Sequence, residues 1–195
     1  MFIFYLLALI PFYAIGCFPT GLLVSKRFNI DITSEGSGNV GATNVARTLG
    51  KKAGLLTLVG DILKGLLAVL LAKLIGTDSL FQALSAVAVI LGHTFPYKLP
   101  HGKGVATTAG AFLVLAPSAI GLCFLVFIIT FLTKKIVSLA SLSAALTLPI
   151  FCMLTNSDNH TIAAAIIAAI IITYRHKDNL NKLVAGTEKP FKSKD

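Results

Sequence analysis

Six stretches of the chain are apolar for as long as a helix needs to cross a lipid bilayer, or nearly so: residues 2–24, 54–76, 80–97, 105–132, 136–154 and 160–174. The hydrocarbon core is about 30 Å thick, so a perpendicular helix needs about 20 largely apolar residues, and fewer where the protein shields or thins the crossing. Apolar residues make up 55% of the 195 and charged residues only 13%. A water-soluble globule of this size has too much surface for its volume to hide that much hydrocarbon. The expectation is an all-α, polytopic integral membrane helix bundle, with residues 1–195 forming a single domain.

The charges say which way it sits. The net charge of +9 would point to nucleic acid in a polar chain, but in an apolar one it reflects basic loops on the cytoplasmic face, and no nucleic-acid partner is expected. Lys26 and Arg27 follow the first segment, Arg47, Lys51 and Lys52 precede the second, and Lys98 and Lys103 follow the third, whereas the turns at 76–79 and 155–160 carry no Lys or Arg. By the positive-inside rule the N-terminus is outside and the first basic loop is cytoplasmic. If 105–132 were one crossing, Lys134, Lys135 and the basic tail from Arg175 would face outward. A turn at Pro117, which removes a backbone donor and tends to break a helix, repairs this. It predicts seven crossings, two of them short helices of about 12–15 residues that could be re-entrant, with the C-terminus cytoplasmic. The N-terminus has no basic region ahead of its apolar stretch and reads as a retained span. Cys17, Cys123 and Cys152 lie in apolar stretches without metal-site spacing and read as packing residues.

Three polar loops are too specific to be connectors alone. The first runs from Gly36 to Arg47, with Ser37, Gly38, Asn39, Gly41, Thr43 and Asn44 between them. Glycines let the backbone approach a ligand closely, successive exposed amides form an anion-binding nest, and Arg47 adds a planar fork suited to phosphate. The glycines alone fit a flexible turn equally well; the four small polar side chains favour a site. The second holds His93 and then His101, Gly102, Lys103, Gly104 and Thr107. Lys103 between two glycines at a helix start resembles an anion clamp, although the Walker A spacing fails. Its bland reading is one more positive-inside charge, and that of His93 is a satisfied histidine near the interface. In the third, His176 and Asn179 could share a face of a helix at the interface, with Gly186 ending it and Glu188 in the turn. An amphipathic surface tail explains its basic residues but leaves Asn179 and Glu188 without a purpose. Asp61 and Lys64 sit three apart inside the second span; mutual pairing is the simplest reading, and Asp61 organising Arg47 or Lys103 the sharper one.

The blocks GSGNVGATNVARTLGKKAG, LGHTFP with GKGVATTAG, and HKDNLNKLVAGTE resemble the three cytoplasmic motifs of the bacterial acyl phosphate-dependent glycerol-3-phosphate acyltransferases. They agree in order and in placement among the spans, and the likeness covers most of the chain. One departure is His101, where the family's GGKGVAT has its first glycine; Gly102 and Lys103 stay in register. The resemblance implies a multi-pass enzyme of the bacterial inner or plasma membrane. It would move a fatty acyl group from acyl phosphate to the sn-1 hydroxyl of glycerol 3-phosphate, giving lysophosphatidic acid and inorganic phosphate. It also implies no metal, no cofactor, no direct use of acyl-CoA or acyl carrier protein, and no obligate protein partner beyond membrane lipids.

Acyl phosphate is a mixed anhydride with a good leaving group, so orientation and charge stabilisation suffice, and direct attack by the glycerol hydroxyl is expected. Ser37, Arg47, Lys103, His176, Asn179 and Glu188 are the candidate catalytic residues, and Gly38, Asn39, Gly41, Thr43, Asn44, His93, Gly102, Gly104 and Thr107 the candidate substrate-binding ones. Ser37 as a covalent nucleophile lacks a visible base partner. A small transporter for an anionic metabolite is the alternative, with Asp61 and Lys64 on its path.

Overall fold

The computed structural model describes residues 6–192, so residues 2–5 of the first apolar segment lie outside it. The first span, Leu6–Lys26, is broken. Helix α1 (Ile10–Gly16) and helix α2 (Thr20–Lys26) are separated at Cys17, Phe18 and Pro19, because proline offers no N–H and its ring excludes the carbonyl a turn earlier. That segment was expected to be continuous; hydropathy does not register such a break. A short helix, α3 (Ala42–Leu49), lies within the first polar loop and Gly50 divides it from α4 (Lys51–Leu74). Next comes α5 (Ser79–Thr94), started by Asp78, whose carboxylate accepts the Phe81 N–H at 2.8 Å. It stops at Thr94, short of residue 97, since Pro96 disfavours helical geometry at Phe95.

The expected division at Pro117 is present. Helix α6 (Val105–Leu115) ends at Ala116, and α7 (Pro117–Lys134) begins with that proline at its first position, where the missing donor does no harm. The halves are unequal: α7 runs on to Lys135, which takes a left-handed φ of 57° and ends it. Helices α8 (Val137–Leu154) and α9 (Asn159–Arg175) are joined by a turn in which Asp158 caps α9, and α10 (Lys177–Val184) follows at once. Among the described residues, four spans are long and apolar enough to cross a membrane (Leu6–Lys26, α4, α7 and α8). The apolar helices α5, α6 and α9 are shorter.

The packing is that of a bundle in lipid. Small residues fill the inside: Ala68, Ala72, Ala86, Ala111, Ala119, Ala165 and Ala168 are buried. Large ones cover the outside: Leu56, Leu67, Phe124, Ile129 and Ile170 are exposed. Lipid tails are as apolar as leucine, so helices associate by close backbone approach. Two pairs do so reciprocally. A Cβ on Gly65 of α4 would strike the Thr107 carbonyl of α6, and one on Gly110 of α6 the Ile62 carbonyl of α4. Likewise Gly16 of α1 abuts the Val89 carbonyl of α5, and Gly92 abuts that of Tyr13.

Inside the bundle, Lys64 pairs with Asp61 at 3.0 Å, as their spacing suggested. Lys64 also donates to the Phe18 carbonyl at 3.0 Å, in the break of the first span. The Asp61 carboxylate lies 3.6 Å from His93 Nδ1, so it faces α5. The polar connections meet at one end. Asn39 Nδ2 donates to the His101 carbonyl at 3.4 Å, Arg47 Nη2 to that of Lys189 at 3.5 Å, and the Phe191 N–H to that of Lys135 at 2.7 Å. At the other end the turns after α4 and α8 meet through Ser79 Oγ and His160 Nδ1, 3.1 Å apart.

Candidate active site

A relay of side chains from four segments crosses the loop end. The Lys103 ammonium, from the 95–104 loop, donates to Asn179 Oδ1 on α10. Asn179 Nδ2 donates to Glu188 Oε1 at 2.7 Å, and Ser138 Oγ, in the first turn of α8, donates to the same oxygen at 2.6 Å. Burial pushes Lys103 below the ordinary lysine range; Glu188 and Asp178 oppose this, while Lys182 and Arg47 add to it. Burial pulls the Glu188 carboxyl upward, but its bonds from Ser138 and Asn179, with Lys182 and Lys103 nearby, outweigh that and hold it below the usual carboxylate range. Around Lys103 the cations Arg47 and Lys182 thus stand against the carboxylates of Glu188 and Asp178.

His176 is the residue between α9 and α10, placed by the helix ending there. It is 3% exposed, and its Nδ1 is 2.8 Å from the Ile172 carbonyl. A carbonyl only accepts, so Nδ1 carries the proton and Nε2 is left unprotonated in the neutral ring. Burial, against a supporting bond from Ile172, pushes its pKa to about 4, so the ring is neutral at pH 7. The predicted helix is α10, and it ends at Gly186, whose φ of 68° is left-handed.

The first loop is self-braced. Asn44 is buried, accepts the Ser37 N–H at 2.9 Å and donates to the Glu35 carbonyl at 2.9 Å and to that of Ile32 at 3.4 Å. Its amide thus builds the loop. Asn39 Oδ1 accepts the Gly41 N–H at 2.8 Å at the start of α3 while its Nδ2 ties the loop to His101. Ser37 is exposed, Gly38 has a left-handed φ of 69°, and Thr43 is half-buried in the first turn of α3. Arg47, at the last turn of α3, reaches across to the C-terminal strap: besides the Lys189 carbonyl it lies 5.8 Å from the Phe191 ring centre.

In the second loop the residues divide. Lys103 enters the cluster, and Gly104 takes a left-handed φ of 88° as the cap of α6. Gly102 is not left-handed; what it supplies is room, because a Cβ there would strike His93 Nε2. His93 is itself buried beneath the loop, with its other nitrogen toward Asp61. Thr107 is fully buried on α6, its hydroxyl without a hydrogen-bond partner and its carbonyl against Gly65. The structure thus gathers Arg47, Lys103, Asn179 and Glu188 with the basic tail, and puts His93 and Thr107 inside the bundle. Ser138 and Phe191 were not anticipated. A serine in a serine-rich apolar helix and a phenylalanine in a basic tail have no local signal; their partners are 50 residues away for Ser138 and in other segments for Phe191.

An apolar groove of about 520 Å³ lies between α8 and α9, lined by Leu146, Pro149, Ile166, Ala169, Ile170, Thr173 and Tyr174. Tyr174, near the end of α9, lines the groove two residues before His176. Ile166 to Thr173 spans roughly 10 Å of helix at about 1.5 Å per residue. A cationic cluster at the loop end of the bundle and an apolar groove between its helices are the two features an amphiphile with an anionic head would need.

A family model described as glycerol-3-phosphate acyltransferase matches residues 6–186. A glycerol-3-phosphate acyltransferase of Trichlorobacter lovleyi is 43% identical over 183 residues, 93% of this chain and 94% of that protein. One from Clostridioides difficile is 39% identical over 198 residues, 97% of each. Among solved structures, PlsY (YgiH), described as an integral membrane glycerol 3-phosphate acyltransferase, in its glycerol 3-phosphate form superposes with a TM-score of 0.90 at 38% identity, covering 96% of both chains. Its lysophosphatidic acid form gives 0.88, covering 96% of this chain and 95% of that one. The chain belongs to the glycerol-3-phosphate acyltransferase family.

Proposed function

We infer that the chain is a multi-pass membrane enzyme that transfers a fatty acyl group from acyl phosphate to glycerol 3-phosphate, producing lysophosphatidic acid and inorganic phosphate. The family assignment supports the reaction, and relatives of similar fold carry glycerol 3-phosphate and lysophosphatidic acid in the structures named for them. The observation that carries the site is the meeting of Lys103, Asn179 and Glu188, with Arg47 beside them on the Lys189 carbonyl. Arg47 and Lys103 hold phosphate oxygens, Asn179 orients Lys103, and Glu188, gripped by Ser138, fixes Asn179. The Ser37–Asn44 loop offers main-chain donors to the second phosphate, and the acyl chain lies in the α8–α9 groove. By the charge bias the loop end is cytoplasmic and the N-terminus outside.

Transfer is direct. The glycerol hydroxyl oxygen attacks the acyl carbonyl carbon, the carbon–oxygen bond to phosphate breaks, and the hydroxyl proton passes to a base. Two acceptors are at hand, His176 Nε2 and an oxygen of the departing phosphate. With a pKa of about 4 the ring is a weak match for this task near neutral pH; a phosphate oxygen, with its second pKa near 6, is closer. His176 then serves by shape and neutrality. Anion transport, the alternative, needs free intramembrane charges, and Asp61 and Lys64 are instead paired.

Purified protein in detergent should release phosphate from acyl phosphate only when glycerol 3-phosphate is added; release without it, or none with it, overturns the reaction. Arg47→Ala and Lys103→Ala should each lower turnover at least tenfold, about 1.4 kcal/mol or more.

A further inference from the structure

His93 makes a contact for which the acyl transfer has no use. Its ring is buried at the end of α5, directly under the loop that carries Lys103. One side faces the Asp61 carboxylate, 3.6 Å from Nδ1. The other side, at Nε2, occupies the space a side chain at Gly102 would take. The main chain repeats the link, since the His93 carbonyl accepts the Gly102 N–H at 3.2 Å. Behind the ring, Asp61 is fixed by Lys64 at 3.0 Å, and Lys64 by the Phe18 carbonyl at 3.0 Å. The cavity among Asp61, Lys64, His93 and Gly102 measures about 10 Å³, room for about one water. Ahead of the loop, Tyr13 donates to the Phe95 carbonyl at 2.8 Å and ties its start to α1.

We propose that His93 is a positioning residue: its ring is a spacer between Asp61 in the bundle and the main chain of Gly102, and it sets the height at which Lys103 meets Asn179. The proposal rests on the reaction inferred above. It gives the glycine at 102 a reason independent of any phosphate, because the residue before Lys103 is seated on a ring and has space for hydrogen only. It also turns the paired charges of α4 into the footing of the loop.

The test is suppression. Gly102→Ala should lower turnover at least tenfold, since its methyl meets the ring. Adding His93→Ala, which removes the obstacle, should return the double variant to several times the rate of Gly102→Ala alone. A double variant equal to or slower than the single one overturns the proposal. If Gly102→Ala does not fold, a second cycle decides. His93→Ala should lower kcat/KM about tenfold in the wild-type background and less than twofold in a Lys103→Ala background, because the ring acts through that lysine. Equal losses in both backgrounds mark a general structural role and overturn it. Wild type measured alongside separates the two readings: inactivity there sinks the reaction itself, whereas an active wild type without suppression or coupling sinks the His93 spacer alone.

Discussion

Among the described residues, the Asp61–Lys64 cluster and the Lys103–Glu188 cluster are built in opposite ways. Asp61, Lys64 and His93 come from two neighbouring helices and face one another inside the bundle, with the Asp61 and Lys64 charges answered by each other and Lys64 also by the Phe18 carbonyl. Lys103, Asn179, Glu188 and Ser138 come from two loops and two helix starts, lie at the rim, and leave Arg47 and Lys182 near Lys103 as excess positive charge. The first cluster is closed on itself; the second is the one the proposed reaction would use for its anionic substrates.

Substitutions can break that distinction. Asp61→Ala strands a buried ammonium and should destabilise the protein by about 3–5 kcal/mol, read as a fall in the melting temperature in detergent. Replacing both partners, Asp61→Leu with Lys64→Met, should recover most of that stability. A double variant as unstable as Asp61→Ala would show the inner cluster to be more than a matched pair. At the rim the readout moves from melting to turnover: the Lys103→Ala loss, about 1.4 kcal/mol or more in activation free energy, should come with little change in melting. Ser138→Ala removes one of two bonds to Glu188 and should lower turnover severalfold, about 1 kcal/mol, while Lys103 and Asn179 stay in place. An unchanged rate would take Ser138 out of the cluster.

The smallest effect is on pH dependence. His176 is neutral when folded down to about pH 4, against an ordinary value of 6.5. Between those values the unfolded chain binds more protons, so the contribution of this ring to stability is full above pH 6.5 and is lost as pH falls toward 4. His176→Gln should flatten that part of a melting-temperature profile; an unaltered profile would mean that the ring titrates normally.

How much of this could be read in advance follows from the range of each interaction. Pro117 was legible because charge parity and proline chemistry agree on one residue. Pro19 carries the same chemistry without such a signal, since no loop charge demands a break there and the span around it is largely apolar. The loops were legible as sites because glycine, asparagine and basic residues are out of place in mere connectors. Their internal division was not. Asn44 looks like Asn39 in sequence, yet only the buried one spends its amide on Ile32, Glu35 and Ser37. His93 and Gly102 are nine positions apart in the chain and stacked in space, a relation that exists only once the 95–104 loop has turned. Ser138 and Phe191 declare themselves through partners in distant segments.

The reciprocal glycines of α4 with α6, and of α1 with α5, bear on how the enzyme exchanges its cargo. Backbones touching at hydrogen-sized separation have no intermediate arrangement to slide through. A side chain larger than hydrogen at any of the four positions would part its pair. In the reaction proposed above, the acyl donor and its product would pass along the bilayer beside helix pairs that stay packed.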